Sequence, residues 1–176
     1  VLMLCSNTPM SPGIMQLYGY FIDKLRDYLQ PATSSSDYMR SQFDYFLVDI
    51  IDGRITSQRD IIERSLVYPP AFLNEHYTVL IAHESSTVLF LEHAMQNLTT
   101  LFPNVKTLLQ DKNIILYPKK SSKPEKNAAF FETLGEYLQV NRAYAGVSES
   151  FTGLERLHSA YVQARDALDI VRSLSS

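Results

Sequence analysis

Four histidines, His76, His83, His93 and His158, are the side chains best suited to bind a metal or move a proton near neutral pH. None stands three or four residues from another histidine or from a cysteine, so the usual zinc spacing is missing. His83-Glu84 ends an apolar run, where a ligand-binding group can sit; a solvated or capping pair is the expected role. Phosphoryl chemistry on a metal needs carboxylates close together at strand ends. Glu84 and Asp111 are the acids at such places, and neither has a second acid beside it. Asp49 and Asp52, at i and i+3, read as the solvated flank of a helix near its end. The six glycines, Gly13, Gly19, Gly53, Gly135, Gly146 and Gly153, are scattered, so no phosphate-cradling loop forms, and no Gly-x-Ser-x-Gly occurs. Lys119-Lys120-Ser-Ser-Lys123-Pro124 is a small basic loop; it could touch an anion, but solvation is its ordinary state. Asn97-Leu-Thr is a glycosylation sequon by pattern only. The expectation is no catalytic, cofactor-binding or metal-binding residue, no cofactor, and no assignable ligand-binding residue.

The totals agree. The chain has 176 residues, 45% of them apolar, enough for one domain and a smaller unit with a real core. A net charge of −3, from 16 basic and 19 acidic groups, gives no electrostatic footprint for nucleic acid. The single cysteine, Cys5, lies in the apolar run Val-Leu-Met-Leu-Cys and reads as a small buried hydrophobe. One thiol excludes an internal disulfide framework and fits a reducing cytosol. No apolar run approaches the ~20 residues of a membrane span, and no secretory signal is present. The chain begins mid-strand without a methionine and ends in Ser-Ser after a helical stretch, so a fragment of a longer cytoplasmic protein is expected.

Residues 1–5 read as a strand. Ser11-Pro12 opens a helix in which Ile14, Tyr18, Phe21, Leu25 and Tyr28 step by four and three, the seam of a dimer contact or of packing within the chain. Pro31 to Ser36 is a linker. A helix follows from 37 to 52 with Phe43, Phe46, Leu47, Ile50 and Ile51 inward, closed by Gly53 as a left-handed cap. A short helix runs from Ser57 to 66, and Tyr68-Pro69-Pro70 forces the chain out of helix. Strands are expected at 77–83, 105–110, 114–117 and 143–148. Helices are expected at 86–102 and 125–140, and Asp111-Lys112-Asn113 forms a hairpin turn. A closing helix starts at Thr152, where Thr152-Gly-Leu-Glu155 fits a capping box, and carries Leu154, Leu157, Tyr161, Ala164, Leu168 and Val171 on one face. The order from residue 75 is β-α-β-β-α-β-α: a split βαβ, ferredoxin-like plan with helices on one face of a mostly antiparallel sheet, plus one added helix.

Three segments resemble the PucR/CdaR family of bacterial transcriptional regulators. They are Phe46-Leu-Val-Asp-Ile-Ile-Asp52-Gly53-Arg54 with Ser57 and its short helix, the strand Tyr77-Thr-Val-Leu-Ile-Ala, and the stretch from Ala145-Gly-Val-Ser through Phe151-Thr-Gly-Leu-Glu to Ser159-Ala-Tyr-Val-Gln-Ala164-Arg-Asp-Ala167-Leu168. They cover about residues 43 to 172. The resemblance implies a degenerate GGDEF-like domain, a relative of diguanylate cyclases, set between a sensory region and a helix-turn-helix. Active cyclases carry an acid at the end of the first strand and Gly-Gly-(Asp/Glu)-Glu-Phe in the hairpin. Here the strand ends Ala82-His83-Glu84 and the hairpin reads Gln110-Asp111-Lys112-Asn113, with neither glycine.

The fold class expected is therefore α+β: a ferredoxin-like, degenerate GGDEF-like domain over 75–176, a helical linker over 37–74, and the end of an upstream domain with its connecting helix over 1–36. The function expected is a regulatory and oligomerising segment that relays an effector signal to a DNA-binding domain absent from this chain. A homodimer through Ile14, Tyr18, Phe21, Leu25 and Tyr28, DNA reached only through that absent domain, an unidentified small effector, no membrane and no enzymatic activity complete the expectation. The rivals are a nucleotidyl-cyclase-like enzyme with a departed motif and a ferredoxin-like domain that senses a small molecule.

Overall fold

The structure, a computed structural model, describes residues 35–68, 72–84 and 87–174. The strand at 1–5 with Cys5, the seam Ile14–Tyr28, most of the linker and Pro69-Pro70 lie outside these residues. The chain divides into two compact units, residues 1–41 and residues 42–176, and the sheet belongs to the second.

The described helices are α1 (Ser35–Ile51), α2 (Gln58–Ser65), α3 (Val88–Leu101), α4 (Pro124–Val140) and α5 (Leu157–Leu174), and the strands are β1 (Val79–His83), β2 (Lys106–Gln110), β3 (Asn113–Tyr117) and β4 (Ala143–Val147). The sheet order is β2-β3-β1-β4, with every neighbouring pair antiparallel. This is a mixed α/β architecture with helices and strands in the expected sequence order. Boundaries agree to within two residues, except that the closing α-helix begins at Leu157 and not at Thr152; helix is already present at Ser35.

β1 and β3 are apolar almost throughout because both faces of the sheet are covered. Leu80, Ala82, Leu108, Ile115 and Tyr117 point into one core, with Leu47, Ile50 and Ile51 of α1 and Leu157, Ala164 and Leu168 of α5. Val79, Ile81, Ile114 and Leu116 point into the other, with Ala94 and Leu98 of α3 and Leu134 and Tyr137 of α4. The helices α3 and α4 share one face, and the helix expected as an addition lies with α1 on the other. A strand alternates its side chains between faces, so two central strands of unbroken apolar sequence present two apolar surfaces. The first half's helix and the closing helix cover the second.

Local signals explain the ends. α1 stops in a Schellman arrangement: Gly53 N–H donates to the Ile50 carbonyl at 3.0 Å and Arg54 N–H to the Asp49 carbonyl at 2.9 Å, with Gly53 at φ 70°. Ser57 Oγ accepts from Asp60 N–H at the start of α2. The hairpin is tighter than expected. Asn113 joins β3 and pairs with Gln110, leaving a two-residue turn in which Asp111 and Lys112 both have positive φ, 48° and 66°, as a type I′ turn demands. The closing helix does not start in a capping box. Gly153, at φ 85°, precedes a single 3-10 turn, Leu154–Arg156, with no side-chain cap bond, and α5 proper begins at Leu157. Its apolar face is buried as spaced through Leu168, whereas Val171 is 38% exposed.

Gly146 fixes how closely α5 lies on the sheet. A Cβ there would stand 1.9 Å from the Ala164 carbonyl oxygen and 2.4 Å from the Leu168 backbone nitrogen. The glycine-bearing strand and the Ala164-x-x-Ala167-Leu168 helix are thus two halves of one backbone-to-backbone contact.

Candidate functional site

The end of the sheet that carries the hairpin is where β1 finishes. His83, at the last position of β1, is 3% exposed, not solvated. Its Nε2 lies 3.0 Å from the Tyr137 hydroxyl of α4, and the Phe90 ring of α3 meets its ring edge-on at 5.3 Å between centroids. Nδ1 is buried without a partner, whichever nitrogen carries the proton. Burial holds the His83 pKa below the ordinary imidazole value, and burial raises that of Tyr137. Glu84, the next residue, is exposed. The end of β1 thus holds a buried imidazole packed against two aromatic rings.

The acids nominated on α1 are not merely solvated. Arg54 forks onto both, with Nη1 donating to Asp49 Oδ1 at 2.7 Å and Nη2 to Asp52 Oδ2 at 2.6 Å. Gln110, the last residue of β2, donates through Nε2 to the other Asp52 oxygen at 3.0 Å. The Asp52-Gly53-Arg54 stretch therefore ties the end of α1 to the root of the hairpin. His158 of α5 adds to it, its Nδ1–H donating to the Ile51 carbonyl at 2.8 Å. Tyr161, also on α5, has its hydroxyl pKa raised, first by burial and then by the carboxylates of Asp111, Asp52 and Asp169, against the opposing pull of Arg165. The i, i+3 spacing with an arginine just past the helix end was the available sequence signal for this clamp.

The remaining candidates disperse. His93 is exposed on α3, 3.1 Å from the Asn97 amide nitrogen. His76 packs against Phe72 and Phe151, and its Nδ1 donates to the Asn74 carbonyl. Burial lowers its pKa, Lys119 lowers it further, and the carbonyl bond opposes both. In the basic loop, Lys120 is neutralised by Glu75 at 2.7 Å and also donates to Ser150 Oγ. The carboxylate hydrogen bond raises the Lys120 pKa. Among the described residues no three of His, Cys, Asp or Glu gather where they could hold a metal ion. No described helix is long and apolar enough to cross a membrane. Tyr117 was missed by sequence reasoning. Its hydroxyl is buried without a hydrogen-bond partner and its pKa is driven well above the phenolic range by burial and by Tyr161. An apolar strand ending in tyrosine gives no hint of that.

No curated protein and no solved structure matches the chain. The model of the family described as "GGDEF-like domain" matches residues 53–170, which is more than half of the sequence. With the four-stranded antiparallel sheet and its helices as described, this assigns the fold's lineage: the chain belongs to the GGDEF-like domain family.

Proposed function

We propose that the chain is the regulatory and oligomerising segment of a cytoplasmic bacterial transcriptional regulator of the PucR/CdaR type. It relays an effector signal to a helix-turn-helix domain outside this chain and catalyses nothing itself. We read the β2-β3-β1-β4 order as the ferredoxin-like arrangement. The observation that carries the reading is the state of the hairpin end. A working cyclase needs glycines there, so that guanine can approach the backbone, and acids to hold the metal. Here the turn is Asp111-Lys112, and buried His83 fills the strand end between Phe90 and Tyr137. On this reading the segment carrying Ile14, Tyr18, Phe21, Leu25 and Tyr28, expected from its spacing to be helical, forms the homodimer contact, and its repacking is the bistable element.

Two measurements on the 176-residue chain test this. Sedimentation is expected to show a dimer that Phe21→Asp converts to monomer. A monomer at every concentration, unchanged by that substitution, removes the dimer relay. Incubation with GTP and magnesium or manganese is expected to yield no cyclic dinucleotide; turnover would replace the regulatory reading with the enzymatic one.

A further inference from the structure

At the end of the sheet away from the hairpin, a cavity of about 470 Å³ opens beneath the Lys119 loop. Its size lies within the range of small-molecule sites, roughly 300–1,000 Å³. Its apolar wall is aromatic: Tyr77 meets Phe131 edge-on at 5.6 Å, and Phe131 meets Phe130 edge-on at 5.2 Å. Two lysines, Lys119 and Lys126, are also part of the lining, and no acid is. Neither ammonium is paired with a carboxylate among the described residues, whereas Lys120, between them in sequence, is paired with Glu75. The wall is also fixed in advance. Asn127 of α4 accepts from the Ser121 amide and donates to the Ser121 carbonyl, both at 2.8 Å, which pins the loop to the helix. A preformed wall lowers the ordering cost of binding.

We propose that this cavity binds a small aromatic acid: one aryl ring against Tyr77, Phe130 and Phe131, with a carboxylate or phosphate between Lys119 and Lys126. Aromatic rings favour edge-on or offset contacts with a further ring. Two unpaired ammonium groups at the mouth of one cavity attract an anion together. Two cations and a concave aromatic wall suit one anionic group on a ring rather than a polyanionic strand. The proposal is independent of the relay reading and of any dimer.

The test is a titration of the isotopically labelled chain, followed by amide chemical shifts, with phenylacetate, phenyl phosphate and the neutral phenylacetamide. Both acids are expected to shift the amides of Tyr77, Lys119, Ser121 and Asn127. The amide analogue is expected to bind about tenfold more weakly or worse, since it loses the charge-assisted contacts. Lys119→Gln combined with Lys126→Gln is expected to cost the acids about tenfold or more while the rest of the spectrum stays unchanged, both side chains being exposed. Four results would each overturn the proposal: equal binding of acid and amide, unaltered acid binding in the double variant, shifts that map elsewhere, or no shift up to about 10 mM ligand, a concentration beyond ordinary weak affinity.

Discussion

The two faces of the sheet are built on different principles. On the face of α1 and α5, backbone approaches backbone. Gly146 gives α5 its seat, Ala164 is fully buried beside it, and the contact leaves no room for even one carbon. Large rings fill space on both faces: Phe46, Phe72, Tyr117 and Phe151 on this one, and Phe90, Phe102, Phe130, Phe131 and Tyr137 on the face of α3 and α4. Both the buried His83 and the lysine-rimmed cavity are on the face of α3 and α4. The first face is seated by backbone contact at Gly146, and the second holds an imidazole among rings at His83. Buried polar atoms without a partner occur on both faces: the Tyr117 hydroxyl in the core of α1 and α5, and His83 Nδ1 beside Phe90 and Tyr137 on the other.

A pair of glycine substitutions would break this contrast most visibly. Gly146→Ala places a methyl carbon against a backbone carbonyl that cannot rotate away, so α5 must shift. Overpacking of this kind costs about 3 kcal/mol or more, the upper end of such effects. Gly135, in α4, has nothing within 4 Å of its would-be Cβ. Gly135→Ala is expected to stabilise by about 0.5–1 kcal/mol, the ordinary gain of replacing glycine inside a helix. Denaturant unfolding of both variants reads the difference. Equal and small effects would show that α5 is not held by backbone contact.

Much of the element order was legible because hydrophobic period is a local signal. The steps of three and four in α5 and the apolar run of β1 depend only on their own sequence. The covering of both faces was not legible, although its cause was present. Val79-Leu-Ile-Ala and Ile114-Ile-Leu are apolar at consecutive positions, which a sheet with one wet face does not need. His83 was misjudged for a different reason. Its partners Phe90 and Tyr137 belong to helices whose approach depends on tertiary packing, and a His-Glu pair at a strand end looks the same whether wet or buried. The Gly146 contact was half legible. Glycine in a strand suggests close approach, but the Ala164 carbonyl that meets it is fixed only once α5 lies across β4.

A smaller effect distinguishes the faces through pH. His83 and His76 both have pKa values lowered chiefly by burial. The unfolded chain therefore binds more protons than the fold at mildly acid pH, and stability rises with pH there. It is complete above about 6.5, the ordinary imidazole value, and is lost as the pH falls from there towards each folded value. His83→Phe is expected to flatten that acid slope, leaving only the share of His76, which His76→Phe removes in turn. Tyr137→Phe leaves His83 Nε2 buried and bare, at a cost of about 1–3 kcal/mol at pH 8. Stability measured at pH 5, 6, 7 and 8 in the three variants separates these contributions. An unchanged slope in His83→Phe would place the acid sensitivity outside the face of α3 and α4.

The smallest effects concern the Asp52-Gly53-Arg54 clamp, where conformation and charge can be separated. Gly53 sits at φ 70°, a region that costs an L-residue roughly 1–2 kcal/mol, and its Cβ would also touch His158 Cε1 at 3.4 Å. Gly53→Ala is expected to cost about that much, independent of salt. Arg54 is mostly exposed, and although it forks onto Asp49 and Asp52, water and salt screen both pairs. Arg54→Ala is therefore expected to cost under about 1 kcal/mol, less at high ionic strength. Thermal unfolding at low and high salt orders the two. Arg54→Ala costing more than Gly53→Ala at both salt concentrations would mean that the face of α1 and α5 depends on its surface charges more than on the backbone geometry that ends α1.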